Sequence, residues 1–216
     1  MADLRGAIFD LDGVIVNTVP LHFKAWQRMF SEYGKEFTFQ DYKEKVDGIP
    51  RLSGAKAVLS DLDEEELVRA AEKKQRYFLD LLHKEGVEVY HSTVDLIKAL
   101  RAAGIKRAVV SSSRNCPYIL QRASLSDLFD VIIGGGEIVR GKPHPDIFLL
   151  AAERIAESPE NCLVFEDAVL GVEAAKAAGM KCVGIDRYQN PQRLSQADIV
   201  VEDLDKINLD KLRSLF

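Results

Sequence analysis

The sequence predicts an α/β fold with a Rossmann-like, mainly parallel sheet and an inserted bundle of helices. Three observations carry this. A short apolar run, AIF at 7–9, ends at Asp10. The chain from there to about Gly86 then carries helical periodicity throughout. After Gly86, short apolar runs alternate with helical segments, as a sheet covered by helices requires.

The first run reads as a buried strand with polar groups at its C-terminal end. Leu11, Asp12 and Gly13 make a turn, followed by the apolar Val14 to Val16. In PLHFKAWQRMFSEYG, Leu21, Ala25, Trp26 and Met29 recur at helical spacing, with Pro20 in the first turn and Gly34 at the end. Asp41 before YKEKV marks a further helix start. Ser60 with Asp63 approximates a capping box for the long segment that follows. There Leu67, Ala70, Ala71, Phe78, Leu81 and Leu82 fall on roughly one side.

The second half predicts a helix over STVDLIKALRAAG, closed by Gly104, then the strand IKRAVVSSS. PYILQRASL is a helix, FDVIIGGG a strand, and HPDIFLLAAERI a helix that Asp146 could cap. NCLVFEDA is a strand ending in acids, VLGVEAAKAAGM a helix, and KCVGI and ADIVVEDL hold the last strands. The simplest assembly joins the first strand to the later ones. It divides the chain into a core of 1–16 and 88–216 and a helical insert over 17–87. Ligands of such sheets bind at the carboxyl ends of the strands.

Composition sets the outer limits. A chain of 216 residues is long enough for one core plus a small second domain. A formal net charge of -5 disfavours a broad nucleic-acid surface, but not a local phosphate pocket. Cys116, Cys162 and Cys182 form no C-x-x-C pair and read as buried thiols in a reducing, cytoplasmic compartment. The N-terminal segment lacks the pattern of a signal peptide, and no stretch approaches a membrane span. A monomer is the default expectation.

The residues that carry chemistry lie at the predicted strand ends. Asp10 and Asp12 follow the first strand, with Gly13 giving the backbone room to turn. Glu166 and Asp167 end another. Acids converging on one edge repel each other unless a cation compensates them, and oxygen ligands of this kind suit Mg²⁺. Zn²⁺ is less attractive, because His22, His83, His91 and His144 have no ligand spacing with cysteine. Ser111 to Asn115 follow the run AVV and precede a helix, where hydroxyls and amides can hold an anion. Ser111 is the better phosphate contact and Ser113 the candidate helix cap. Lys142, in GKPHPDIF, offers a compact cation to neutralise an incoming phosphate against Asp10. Gly134 to Gly136 lacks the spacing of a dinucleotide-binding loop.

Together these segments resemble the haloacid dehalogenase superfamily, and within it the β-phosphoglucomutase-like group with a helical cap. FDLDGVIVNT at 9–18 resembles the first family motif, Ser111 the second, Lys142 the third, and Glu166-Asp167 in VFEDAVLGVEAAKAAG the fourth. HFKAW at 22–26, DGIPR at 47–51 and SSSRN resemble segments of the mutase group. Parts of the second half, with GIDRY, resemble a branch associated with disaccharide phosphorylases.

The resemblance implies a role for each matching residue. Asp10 would be the nucleophile and Asp12 the general acid/base, supported by His22. Ser111 and Lys142 would hold the transferring phosphoryl group. Asp10, Asp12 through its carbonyl, Glu166 and Asp167 would hold Mg²⁺. Arg51, Lys73, Arg114 and Asn115 would bind substrate, with Lys74 the alternative if the register slips by one. The implied reaction interconverts β-D-glucose 1-phosphate and glucose 6-phosphate. It passes through an aspartyl-phosphate, with β-glucose 1,6-bisphosphate as intermediate and priming donor. A sugar-phosphate phosphatase on the same scaffold is the alternative. A non-catalytic phosphate-binding protein would not need the intact set of acids and Lys142. The expected partner is a small phosphorylated sugar.

Overall fold

The computed structural model describes residues 2–216. The chain divides into two compact units, 1–17 with 89–216, and 18–88. Each crossing lies one residue beyond the expected position. Two two-residue strands, β2 (Val16–Asn17) and β3 (Glu88–Val89), mark the crossings.

The larger unit is built on a parallel six-stranded sheet of order β5-β4-β1-β6-β7-β8. Its strands are β1 (Gly6–Asp10), β4 (Lys106–Val110), β5 (Val131–Ile133), β6 (Cys162–Glu166), β7 (Lys181–Ile185) and β8 (Ile199–Val201). β1 is central although it comes first in sequence, because β4 and β6 pair on its two sides. Every residue of β1 and β6 is buried, as expected of strands covered on both faces.

Register decides what the sheet presents. Ile8 pairs with Val164 and Phe9 with Phe165. Side chains alternate between faces. Phe9 and Phe165 therefore share one face, where their rings stack at 4.4 Å. Ile8, Val164, Ala108 and Val110 share the other, packed with Ile147, Phe148 and Ala151. The same alternation puts Asp10 and Glu166 on that second face, at the ends of neighbouring strands.

Helices cover the sheet: α5 (His91–Ala102), α6 (Cys116–Arg122), α7 (Asp146–Arg154), α8 (Val169–Ala177) and the short α9 (Leu209–Arg213). Gly104 follows α5 at φ 75°, the left-handed stop expected of it. Asp146 is the first residue of α7 rather than its cap. Its carboxylate takes both Nε and Nη2 of Arg140, at 3.0 and 2.8 Å. The three cysteines are buried, unpaired thiols. No helix of the described residues is long and apolar enough to cross a membrane.

The smaller unit is wholly helical: α1 (Val19–Ser31), α2 (Phe39–Lys45), α3 (Arg51–Val58) and α4 (Glu64–Glu85). Two helix starts differ from expectation. Thr38 caps α2, and Asp41 is its reciprocal partner in a capping box. Asp63, not Ser60, caps α4 by accepting the Glu66 amide at 2.8 Å. An acid is the stronger cap here because it also faces the positive end of the helix dipole. Trp26, Met29, Phe30, Phe37, Tyr42, Leu67 and Ala70 build this unit's own core.

Asp198 ties the edge of the sheet together. It accepts from Lys176 Nζ at 2.6 Å, Lys181 Nζ at 3.1 Å and the Cys182 amide at 2.9 Å. Partial burial works against its ionised form, but the hydrogen bonds from Lys176, Cys182 and Lys181 outweigh it and hold its pKa below the usual value. A depressed pKa adds stability above the unfolded value, lost as pH falls through the folded one. We expect Asp198→Asn to cost about 1–2 kcal/mol at pH 7. In urea unfolding the deficit should shrink as pH drops below about 4.

Candidate active site

Asp10 ends β1 and is 6% exposed. Lys142 Nζ donates to its Oδ1 at 2.5 Å, and the Asp12 amide donates to its Oδ2 at 2.9 Å. Both oxygens of the carboxylate are therefore oriented. Lys142 is itself 5% exposed and also donates to Glu166 Oε1. Glu166 Oε2 accepts the Ala168 amide at 2.9 Å. Glu166 is thus engaged on both oxygens, by Lys142 and by the Ala168 amide.

Burial pushes the Asp10 carboxyl up to about 8. Lys142 pulls against this, while Glu166 and Asp12 add to it. Burial alone would depress the Lys142 ammonium, but the charges of Asp10 and Glu166 outweigh it and raise its pKa. The lysine is firmly cationic.

The loop after β1 places Asp12 beside Ser111. Ser111 is fully buried at the end of β4, and its hydroxyl donates to Asp12 Oδ2 at 3.0 Å. The Ser111 hydroxyl oxygen in turn accepts the Ser113 amide at 3.0 Å. Ser113 does not cap α6. Its hydroxyl accepts the Asn115 amide at 3.1 Å, one residue before the helix begins. Arg114 is exposed and Asn115 half-buried, both on this loop. The glycine run after β5 supports the loop, through the Gly135 amide on Ser113 O at 3.1 Å.

Two glycines exist here for close approach. Gly13 has φ 85°, and a Cβ on it would lie 2.0 Å from Asp167 Oδ2. The Asp167 carboxylate therefore lies directly against the loop that carries Asp10 and Asp12. A Cβ on Gly171 would lie 1.9 Å from Glu166 Oε1. Glycine at 171 leaves room for the buried carboxylate under α8.

Among the described residues, no three His, Cys, Asp or Glu side chains form a closed metal cluster. Mg²⁺ does not need one, since it takes one or two carboxylates with waters and phosphate oxygens. Asp10 and Asp167, flanking the Gly13 loop, fit that donor set, and so does the main-chain carbonyl of Asp12.

In the helical unit, His22 Nδ1 lies 2.7 Å from Lys74 Nζ, and its ring stacks on Phe78 at 4.1 Å. Lys74 is 4% exposed and lies over the rings of Trp26 and Phe78. Arg51 donates to Gln75. Lys73 is engaged elsewhere, in an ion pair with Glu32 at 3.0 Å. The structure thus groups Lys74, not Lys73, with His22. The signal was present in the sequence: position 74 continues the apolar row 67, 70, 71, 78 and 82. A lysine in that row is a buried charge and asks for a partner.

Lys142 is the cation on which the buried acids depend. We expect Lys142→Met to cost about 3–5 kcal/mol, because it leaves buried carboxylates uncompensated. Glu166→Gln added to that variant should recover part of the loss in urea unfolding, whereas simple additivity would deepen it.

Known proteins share this chain's sequence pattern and fold. A β-phosphoglucomutase from Bacillus subtilis is 33% identical over 97% of this chain and 94% of its own length. A phosphorylated carbohydrates phosphatase from Thermotoga maritima is 37% identical over 82% of this chain and 83% of its own. The crystal structure of a β-phosphoglucomutase from Clostridium difficile matches with a TM-score of 0.90 at 30% identity, covering 98% of this chain and 96% of that one. The family described as haloacid dehalogenase-like hydrolase matches residues 4–179. With its motifs joined at the ends of β1, β4 and β6, this chain belongs to the haloacid dehalogenase-like hydrolase family.

Proposed function

We propose that the protein is a β-phosphoglucomutase that interconverts β-D-glucose 1-phosphate and glucose 6-phosphate. The observation that carries the chemistry is Asp10, buried and oriented by Lys142 and the Asp12 amide, with an acid/base carboxylate two residues away. The likeness to β-phosphoglucomutases along nearly the whole chain supports the sugar phosphate as substrate.

Asp10 attacks phosphorus in its ionised form, which Lys142 favours. The bond to the sugar oxygen breaks as the Asp10–phosphorus bond forms. Asp12 gives its proton to the leaving oxygen and takes one from the acceptor hydroxyl in the return step. Ser111 and Lys142 donate to the phosphoryl oxygens. Asp10, the Asp12 carbonyl and Asp167 would hold Mg²⁺, which when bound would supply positive charge for the transferring group. Glu166 keeps Lys142 in place. β-Glucose 1,6-bisphosphate is the intermediate and the priming donor. In this reading Arg114 and Asn115 are the substrate-binding residues of the core, Arg51 and Lys74 those that the insert would supply, and His22 the support of the acid/base. The buried thiols support action in a reducing, cytoplasmic compartment.

The second reading is a sugar-phosphate phosphatase, favoured by the 37% identity to a phosphatase of phosphorylated carbohydrates. The two differ in whether water or a sugar hydroxyl receives the phosphoryl group.

The deciding assay quantifies glucose 6-phosphate and inorganic phosphate together, from β-D-glucose 1-phosphate with Mg²⁺, with and without the bisphosphate. A mutase yields glucose 6-phosphate well above phosphate and is primed by the bisphosphate. Phosphate alone would sink the mutase reading and leave the phosphatase. Asp10→Asn should abolish either activity, and Asp12→Ala should lower kcat by roughly 100- to 10,000-fold. Lys74→Met should lower kcat/KM by about tenfold or more, consistent with loss of a charged hydrogen bond. Lys73→Met should stay within about twofold, as for an exposed ion pair; equal losses at the two positions would count against the pairing of Lys74 with His22.

A further inference from the structure

Arg187 is a cation of the core unit that the chemistry above does not use. It lies two residues beyond the end of β7. Its Nε donates to the main-chain carbonyl of Gly13 at 2.8 Å. Its Nη1 makes longer contacts, at 3.3 Å, with Glu202 O and Asp203 Oδ2. The guanidinium carbon lies 3.7 Å over the Tyr90 ring. Nη2 is buried with no hydrogen-bond partner among the described residues. The shortest of these bonds therefore goes to the loop of Asp10 and Asp12.

That loop needs external restraint. Gly13 must lack a Cβ to admit the Asp167 carboxylate, and a glycine at φ 85° imposes little torsional stiffness of its own. Three successive carbonyls are taken by groups outside the loop. Gly13 O accepts from Arg187, Val14 O from the Thr93 hydroxyl at 2.7 Å, and Ile15 O from the Tyr90 amide at 2.9 Å. Tyr90 both holds Ile15 and floors the Arg187 guanidinium.

The geometry points to Arg187 as a positioning residue for phosphoryl transfer. By fixing the Gly13 carbonyl it sets the loop between Asp12 and the Asp167 carboxylate, and so the approach of both acids to Asp10. This rests on the phosphoryl-transfer reading above.

Two variants of equal length separate this from general packing. Arg187→Gln keeps an N–H donor at the chain position of Nε. Arg187→Met fills the same space without a donor. Both lose the contacts to Glu202 and Asp203, so that shared loss cancels when the two are compared. We expect kcat for β-D-glucose 1-phosphate to fall about 10- to 100-fold in Arg187→Met, with KM within about threefold. Arg187→Gln should stay within about threefold of the wild type. Amide exchange at residues 13–16, which needs no turnover, should accelerate in Arg187→Met and not in Arg187→Gln. Equal exchange and equal kcat in the two variants would overturn the positioning role. If the wild type does not turn over the sugar phosphate, the exchange difference still supports the brace, and only the substrate assignment fails.

Discussion

The contact between Lys142 and the carboxylates of Asp10 and Glu166 is the constraint on which the rest of the core unit depends. All three groups are nearly out of solvent. Burying a carboxylate is unfavourable unless a cation and hydrogen bonds replace the lost water. Here burial still holds the Asp10 pKa up, at about 8, against the pull of Lys142. A carboxyl that burial holds back from ionising is favoured in its charged form by any further cation brought beside it.

The grouping of these side chains has its origin in strand register. Ile8 beside Val164 means that Asp10 and Glu166 emerge side by side on one face of the sheet. A slip of one residue would send one carboxylate to the face of the stacked Phe9 and Phe165 rings, away from Lys142. Lys142 reaches the gap from the segment just before α7, whose Phe148 ring lies 5.4 Å from its Nζ. Hydrophobic packing of α7 on the sheet therefore also aims the cation. Stability and chemistry share one set of contacts here.

The alternation of apolar runs and helical segments was enough to read the sheet, because strands buried on both faces leave short, dense apolar signatures. Asp10, Asp12, Ser111 and the Glu166-Asp167 pair were legible because strand ends collect the polar residues that break those runs, and Lys142 because it stands between a glycine and a proline just before a helix. The work of Glu166 was not legible. Local sequence places it at a strand end but says nothing of Lys142, 24 residues earlier. The caps of α2 and α4 were misread for a related reason. Thr38, Asp41, Ser60 and Asp63 are all acceptable cap residues, and only backbone geometry selects among them.

Arg187 and Lys74 show what kind of signal sequence carries poorly. Neither belongs to an acidic or glycine-rich motif, and each acts through a residue far away in the chain. Lys74 interrupts an otherwise apolar face of α4, which a periodicity argument can detect as an inconsistency. Arg187 interrupts nothing, since a polar residue after a strand is ordinary. Its contact with Gly13 follows from two other demands. Asp167 requires a bare α-carbon at position 13, and a bare α-carbon leaves the loop soft. The hydrogen bond from outside the loop answers the second demand without obstructing the first. A side chain on Gly13 would restrain the loop but collide with Asp167, so the restraint has to come through the carbonyl.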